Sequence, residues 1–345
     1  MQICWTTVTR AASAALAAGI IGGFAGTASA GTLDDVKAKG FVQCGVSQGL
    51  IGFSNPNDQN EWSGMDVEFC RAVAAALFND ATKVKFTALD ATQRFPALQT
   101  GEVDILSRNT TWTMSRDTSM GLKFAGVMYY DGQGFMVKKS MGIDSALKLN
   151  NASVCTQTGT TTELNLADFF RANKLEYKTV TFEKNNEAVA AYNSGRCDSF
   201  TTDASGLYSE RLKLAKPDEH MILPEIISKE PLGPAVRQGD GQWFNIVKWT
   251  HYAMVTAEEL GVNSKNVGEM ANTTNPDVKR LLGKEGEFGK DIGLGVDWAA
   301  NIIKTVGNYG ESFERNVGEG SRLKIARGQN ALWTKGGLQY AMPIR

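Results

Sequence analysis

Polar clusters in this chain of 345 residues carry side chains suited to recognising ions. The first is Ser107-Arg108-Asn109-Thr110-Thr111-Trp112-Thr113-Met114-Ser115-Arg116, a run of hydroxyls leading into an arginine. A guanidinium fork matches a carboxylate bidentately through two charge-assisted hydrogen bonds, and hydroxyls and loop amides complete an anion shell. A surface pair of Arg116 with Asp117 is the competing use. The second cluster, Val154-Cys155-Thr156-Gln157-Thr158-Gly159-Thr160-Thr161-Thr162-Glu163, places hydroxyls where a helix opens. The Thr160–Glu163 spacing fits a capping box, and a helix N-terminus with free amides is also an anion site. No Gly-Lys-Ser/Thr follows, so it is not a phosphate loop. The third cluster, Thr201-Thr202-Asp203, offers a carboxylate that can hold an ammonium group or cap a helix from Ala204. Together, Arg116, the Thr160 region and Asp203 would read both ends of a zwitterion.

Two of these clusters follow the same eight-residue pattern. Ala97-Leu98-Gln99-Thr100-Gly101-Glu102-Val103-Asp104 and Ala191-Tyr192-Asn193-Ser194-Gly195-Arg196-Cys197-Asp198 both read as a helix end, a glycine turn and a strand. Glycine suits the left-handed turn that ends a helix. The strands that follow are predicted at 103–106 and at Ser199 and Phe200. In open α/β sheets, ligands bind beyond the carboxyl ends of strands, which is where both clusters fall. The surroundings alternate in the same sense. Helices are predicted at 33–39, 65–78 and 94–99 with strands at 41–46 and 83–88, and a loop over 49–61. Further on come strands at 153–156 and 177–182 and helices at 163–173 and 187–193. Apolar residues at helical spacing also mark 243–259 and, in the tail, 297–317. This alternation argues for an α/β chain with mixed or parallel sheets flanked by helices. Tyr129-Tyr130-Asp131-Gly132-Gln133-Gly134 and Glu230-Pro231-Leu232-Gly233-Pro234 read as two crossings between lobes. Two connectors permit a hinge while limiting twist.

Residues 11–25 are small and apolar, and Ala28-Ser29-Ala30 has the form of a signal-peptidase site. Residues 1–30 are therefore expected to be a removed leader, and no later stretch is apolar enough to cross a bilayer. The formal net charge of −1 gives no electrostatic reason for nucleic-acid binding. Of the five cysteines, Cys4 falls in the leader, leaving Cys44, Cys70, Cys155 and Cys197. An even count in an exported chain reads as disulfides, and Cys44–Cys70 with Cys155–Cys197 keeps each bridge inside one lobe. With no Cys-x-x-Cys and only His220 and His251, no metal is expected. No carboxylate other than Asp203 is expected at a strand edge, which argues against general-acid chemistry.

Several motifs extend this reading into a family resemblance. Trp62-Ser63-Gly64-Met65-Asp66-Val67-Glu68, Gly101-x-x-Asp104 with Thr113-x-x-Arg116, Gln157 to Glu163, and Gly195-x-x-Asp198-x-x-x-x-Asp203 occur in order. The chain thereby resembles periplasmic solute-binding proteins of the polar amino-acid class, the receptors of ABC importers. Its tail, with Val306-Gly307-Asn308-Tyr309-Gly310-Glu311 and Gly328-Gln329-Asn330-Ala331-Leu332-Trp333, is similar to that of the general L-amino-acid-binding members in proteobacteria. The resemblance implies a two-lobed periplasmic-binding-protein fold with two hinge strands. Lobe 1 would comprise 31–131 plus 235–274, and lobe 2 would comprise 132–234. Crossings would lie near 131–135 and 229–234, and a helical extension over 275–345 would pack on lobe 1. It further implies that Arg116 takes a ligand α-carboxylate, helped by Thr111, Thr160 and Thr161. Asp203, the Asn109 carbonyl and Thr111 would take the α-ammonium. Leu50, Phe53 and Ala91 would form the side-chain pocket; Leu50, just before Phe53, and Ala91 align where many relatives stack an aromatic, so a roomier pocket and broad specificity are expected. Partners would be L-amino acids and the membrane permease, with the protein periplasmic and monomeric, without cofactor. The alternative is a dehydratase-type enzyme on the same fold.

Overall fold

The computed structural model describes residues 1–3 and 31–345. The expected leader, apart from residues 1–3, lies outside the described residues. Two five-stranded mixed sheets organise the rest. The first has the order Val84–Ala88, Val42–Val46, Ile105–Leu106, Ala235–Arg237, Leu122–Phe124. The second has the order Tyr177–Phe182, Ala152–Gln157, Ser199–Asp203, Gln133–Lys138, His220–Ile222. In each, the first three strands are parallel and the fourth runs antiparallel to them. The fourth strand is also the exchanged one, because each sheet receives it directly after a crossing.

The repeated motif occupies the same place in both sheets. Gly101 and Gly195 adopt φ of 82° and 83°, the left-handed turn that a side chain would strain. The aspartate that ends each copy then ties its strand to the strand beside it. Asp104 accepts from Gln43 N at 2.7 Å, and Asp198 accepts from Ser153 N at 2.7 Å. The two strands that follow the repeats differ in length from the sequence prediction. The first shortens to Ile105–Leu106 because Val103 N–H returns to Ala97 O in the helix-ending turn. The second lengthens to Ser199–Asp203 because it pairs along Gln133–Val137, with Asp203 opposite Gln133. Inside the 49–61 loop, Asn55–Pro56 pairs briefly with Trp62–Ser63.

The disulfides form as expected. Cys44 on the first strand joins Cys70 on helix Met65–Phe78, and Cys155 joins Cys197, with Cα separations of 6.3 and 5.7 Å. Closing loops of this length stabilises a fold by about 3–4 kcal/mol each in the chain-entropy account. Among the described residues no helix is long and apolar enough to cross a membrane.

The chain crosses between the sheets through Tyr129–Asp131 and Glu230–Leu232, which pair antiparallel as a two-stranded ribbon. The C-terminal segment is fastened to this ribbon. Helices Trp298–Thr305 and Tyr309–Asn316 pack on Met65–Phe78 and Gly241–Glu259, and Arg315 grips Glu68 bidentately at 2.7 Å through both contacts. Farther along, the Asn330 side chain accepts from Tyr130 N at 2.7 Å and donates to Tyr130 O at 3.0 Å, acting as one residue of an extra strand. Gln339 donates to Val127 O at 3.1 Å. Asn330→Ala leaves both Tyr130 backbone groups unpaired, so a loss of about 1–3 kcal/mol is expected in urea unfolding. An unchanged transition would mean that the ribbon does not depend on this clamp.

Candidate functional site

The two sheets turn their strand ends toward one cleft. The loop after Ile105–Leu106 is held from below by Asp66, which accepts from Ser107 Oγ at 3.2 Å and from Asn109 N at 3.0 Å. Asn109 sits there at φ 33°. Burial pushes the Asp66 carboxyl up to about 7, against the pull of the Asn109 N–H, Ser107 and Arg108. The same loop is stitched to the return crossing, with Trp112 N donating to Pro231 O and Gly233 N to Thr110 O. It leads into the short helix Met114–Thr118, whose N-cap Thr113 accepts from Arg116 N at 3.3 Å.

Arg116 is not the surface arginine that its neighbour suggests. Asp117 faces Lys123 at 3.9 Å and accepts from Phe124 N, while the Arg116 side chain is only 6% exposed. Its Nη1 donates to Thr111 O at 2.9 Å and its guanidinium lies 5.1 Å from the Phe95 ring. Among the described residues it makes no ion pair. Burial lowers its pKa, while Glu230 and Asp203 counteract that fall.

Asp203 ends Ser199–Asp203 on the opposite sheet. It holds the N-cap position of helix Ala204–Lys213 but makes no side-chain cap bond, so the carboxylate is not spent on its own helix. It is 7% exposed. Burial raises its pKa well above the carboxylate range, and Asp131 and Glu230 add to the rise. The Asn109 amide and Arg94 pull the other way. At the third cluster, Thr160 caps helix Thr161–Ala172, accepting from Glu163 N at 3.3 Å and donating to Gln157 O at 2.7 Å. Glu163 reaches back to Gly159 N rather than to Thr160 N, so the capping box is shifted by one residue. The Thr161 hydroxyl lies 3.3 Å from that of Thr111, across the cleft.

The cleft also holds groups that the sequence reading did not place. Glu230, on the return crossing, accepts from Thr111 Oγ1 at 2.5 Å, Thr161 Oγ1 at 2.9 Å and Asn165 Nδ2 at 2.7 Å. Asp131 accepts from Ser205 and from Gly132 N, and burial raises its pKa to about 6. The expectation that Asp203 stands alone among strand-edge carboxylates is therefore corrected. The crossings carry Asp131 and Glu230 to its side, a result of topology that spacing along the chain does not reveal. Arg94, 2% exposed, reaches Gly159 O at 3.5 Å from the other lobe and leaves its Nε without a partner. Lys213 Nζ spans the cleft to Gly49 O at 2.6 Å.

A cavity of 310 Å³ remains in the cleft, lined by Leu50, Asn109 and Asp203 among others. Phe53 and Ala91 do not line it. Phe53 is buried 5.2 Å from the Tyr129 ring, and Ala91 is buried beside Gly159. Among the described residues no group of His, Cys, Asp and Glu is arranged to hold a metal ion.

Residues 42–266 match the bacterial extracellular solute-binding proteins, family 3. The chain is 63% identical over 335 residues to the general L-amino acid-binding periplasmic protein AapJ of Rhizobium johnstonii, covering 96% of this chain and 98% of that one. It is 54% identical to the glutamate/glutamine/aspartate/asparagine-binding protein BztA of Rhodobacter capsulatus, over 93% of this chain and 95% of that one. Among solved structures it is similar to an ABC transporter periplasmic binding protein from Brucella ovis with glutathione bound. That match has 65% identity and a TM-score of 0.90, covering 92% of this chain and all of that one (100%).

Proposed function

Since the chain belongs to the bacterial extracellular solute-binding proteins of family 3, we propose that it is the periplasmic receptor of an ABC importer, binding L-amino acids between its lobes and delivering them to the membrane permease. The observation that carries this reading is the pair Arg116 and Asp203. They are a buried basic and a buried acidic group on opposite lobes, and neither has an ion-pair partner among the described residues. An isolated buried charge is costly, and a zwitterionic ligand offsets both at once. Arg116 takes the α-carboxylate, joined by Thr111 and by the Thr160 and Thr161 end of their helix. Asp203 and the Asn109 carbonyl take the α-ammonium, with Thr111 beside them. Lobe 1 is 31–131 with 235–274, lobe 2 is 132–234, and the extension 275–345 belongs with lobe 1. A leader over 1–30 directs export, and the mature receptor acts as a monomer without catalysis or cofactor.

Binding is a shift between open and closed forms. A ligand already held by Arg116 favours closure because only the closed form satisfies its ammonium as well. Buried charge-assisted bonds contribute about 1.5–3 kcal/mol each, so three or four supply roughly 8 kcal/mol, equivalent to about micromolar affinity. The relatives named above bind general L-amino acids, four acidic and amide amino acids, and glutathione. That range supports broad specificity, as does Leu50 at the cavity wall in place of a large ring.

Calorimetry on unfolded and refolded protein, stripped of carried ligand, tests this against the common L-amino acids and prephenate. Micromolar or tighter binding of many amino acids is expected. One amino acid winning by a thousandfold would refute breadth. Silence across all of them would refute the receptor and bring forward the dehydratase-type reading.

A further inference from the structure

The open cavity does not stop at the α-amino-acid groups. Of the residues assigned to those groups it touches only Asn109 and Asp203, and it continues between the 47–56 loop, the start of helix Asn185–Asn193 and a face of helix Ala204–Lys213. Its walls there are amides: Gln48 and Asn55 on one side, Gln157, Asn185 and Asn186 on the other. Leu50 and Pro56 are the larger apolar side chains on it. A wall of carboxamides pairs with donors and acceptors in alternation, which is the pattern of peptide bonds.

The charges on this wall are unequally used. Glu210 accepts from Lys213 at 3.0 Å and from Asn185 at 2.8 Å, and Lys213 also donates to Gly49 O, so these two are paired. Arg108 is not. It is 5% exposed, its Nε donates to Leu89 O at 3.0 Å, and among the described residues it makes no ion pair. Of the carboxylates around it, Asp66 is committed to Ser107 and Asn109 and Asp90 to Thr92 and Gln93, while Asp203 is the group proposed above to take the ammonium. Burial lowers the Arg108 pKa to about 10, so it remains a cation at neutral pH. A buried guanidinium facing a cavity is a place for a carboxylate.

We propose that Arg108 and the amide wall form a second subsite, which holds the far end of an amino acid whose side chain is extended by amide bonds and ends in a carboxylate. The linkage follows from the head group. Arg116 and Asp203 require a free α-carboxylate and a free α-ammonium on the same carbon, and every residue of an ordinary α-linked peptide has spent at least one of them. Only extension through the side chain, as in a γ-glutamyl peptide, leaves both. The subsite rests on the proposed reading of Arg116 and Asp203.

Calorimetry with L-glutamine, γ-L-glutamylglycine, its glycine methyl ester and α-L-glutamylglycine separates the two levels. The γ-linked acid is expected to bind at least tenfold more tightly than its ester and at least a hundredfold more tightly than the α-linked isomer. In Arg108→Gln the ratio of acid to ester collapses toward one. Asn186→Ala, at an exposed position, lowers affinity for the γ-linked acid about fivefold relative to L-glutamine and serves where R108Q does not fold. Equal binding of acid and ester by the unmodified protein overturns the subsite, as does an undiminished ratio in R108Q. Binding of L-glutamine without the γ-linked acid overturns the subsite and leaves the receptor standing. Binding of neither overturns the receptor.

Discussion

Arg116→Met is expected to weaken L-amino-acid binding by at least about a hundredfold while leaving the fold as stable as before, or more so. Truncating one partner of a buried, hydrogen-bonded charge pair costs about 2–5 kcal/mol, because the other charge is left buried and unpaired. Every amino acid carries the α-carboxylate, so the loss should be uniform across ligands. Stability should behave differently. Without ligand the guanidinium has Thr111 O and the Phe95 ring for company but no counter-charge within ion-pair distance. Replacing a desolvated, unpaired cation by an apolar chain of similar length is then neutral or stabilising. Calorimetry and urea unfolding on one preparation check both halves. Weakened binding together with a collapsed fold would make Arg116 a structural residue.

Asp203→Asn should produce a loss of similar size and should also change the pH dependence of binding. In the ligand-free protein, burial and the neighbouring Asp131 and Glu230 raise the Asp203 pKa well above the usual range. A protonated carboxyl cannot hold an ammonium group, so affinity should fall as pH drops through that raised pKa, and binding should expel a proton around it. The sign for stability is opposite. The folded pKa lies above the unfolded one, so stability falls as pH rises from the unfolded value toward the folded one. Asparagine removes the Asp203 share of both dependences. Asp131, raised to about 6, titrates in both proteins and interacts with Asp203, so the difference between wild type and D203N reports the Asp203 proton together with the response of Asp131. Titrations in buffers of different ionisation heat measure the proton release. Equal release in the two proteins, or a loss below about threefold, would contradict the role of Asp203.

Much of this site was legible because its main parts are local. The glycine turns, the strands they launch and the polar runs beyond them are contiguous, and strand ends dictate where their side chains collect. Arg116 required more. Composition favours its pairing with Asp117, and only the burial of one face of helix Met114–Thr118 turns the guanidinium inward and leaves Asp117 to Lys123. Glu230 was beyond reach of spacing. Beside the local Ser228, two of its hydroxyl donors, Thr111 and Thr161, lie 119 and 69 residues away and meet it only because the chain crosses back beside its first crossing. Arg108 was visible in the first polar cluster but had no assigned partner. Its meaning comes from the cavity opened between the 47–56 loop and the second lobe. Phe53, read as part of the side-chain pocket, turns into the core against Tyr129 because the 49–61 loop folds back on the 65–78 helix.

The most direct measurement is a crystal structure of the ligand-stripped, refolded protein grown with L-glutamine. One ligand is expected between the lobes, its α-carboxylate on the Arg116 guanidinium and its α-ammonium on Asp203. A ligand bound with either α-group away from these residues, or bound outside the cleft, would contradict it.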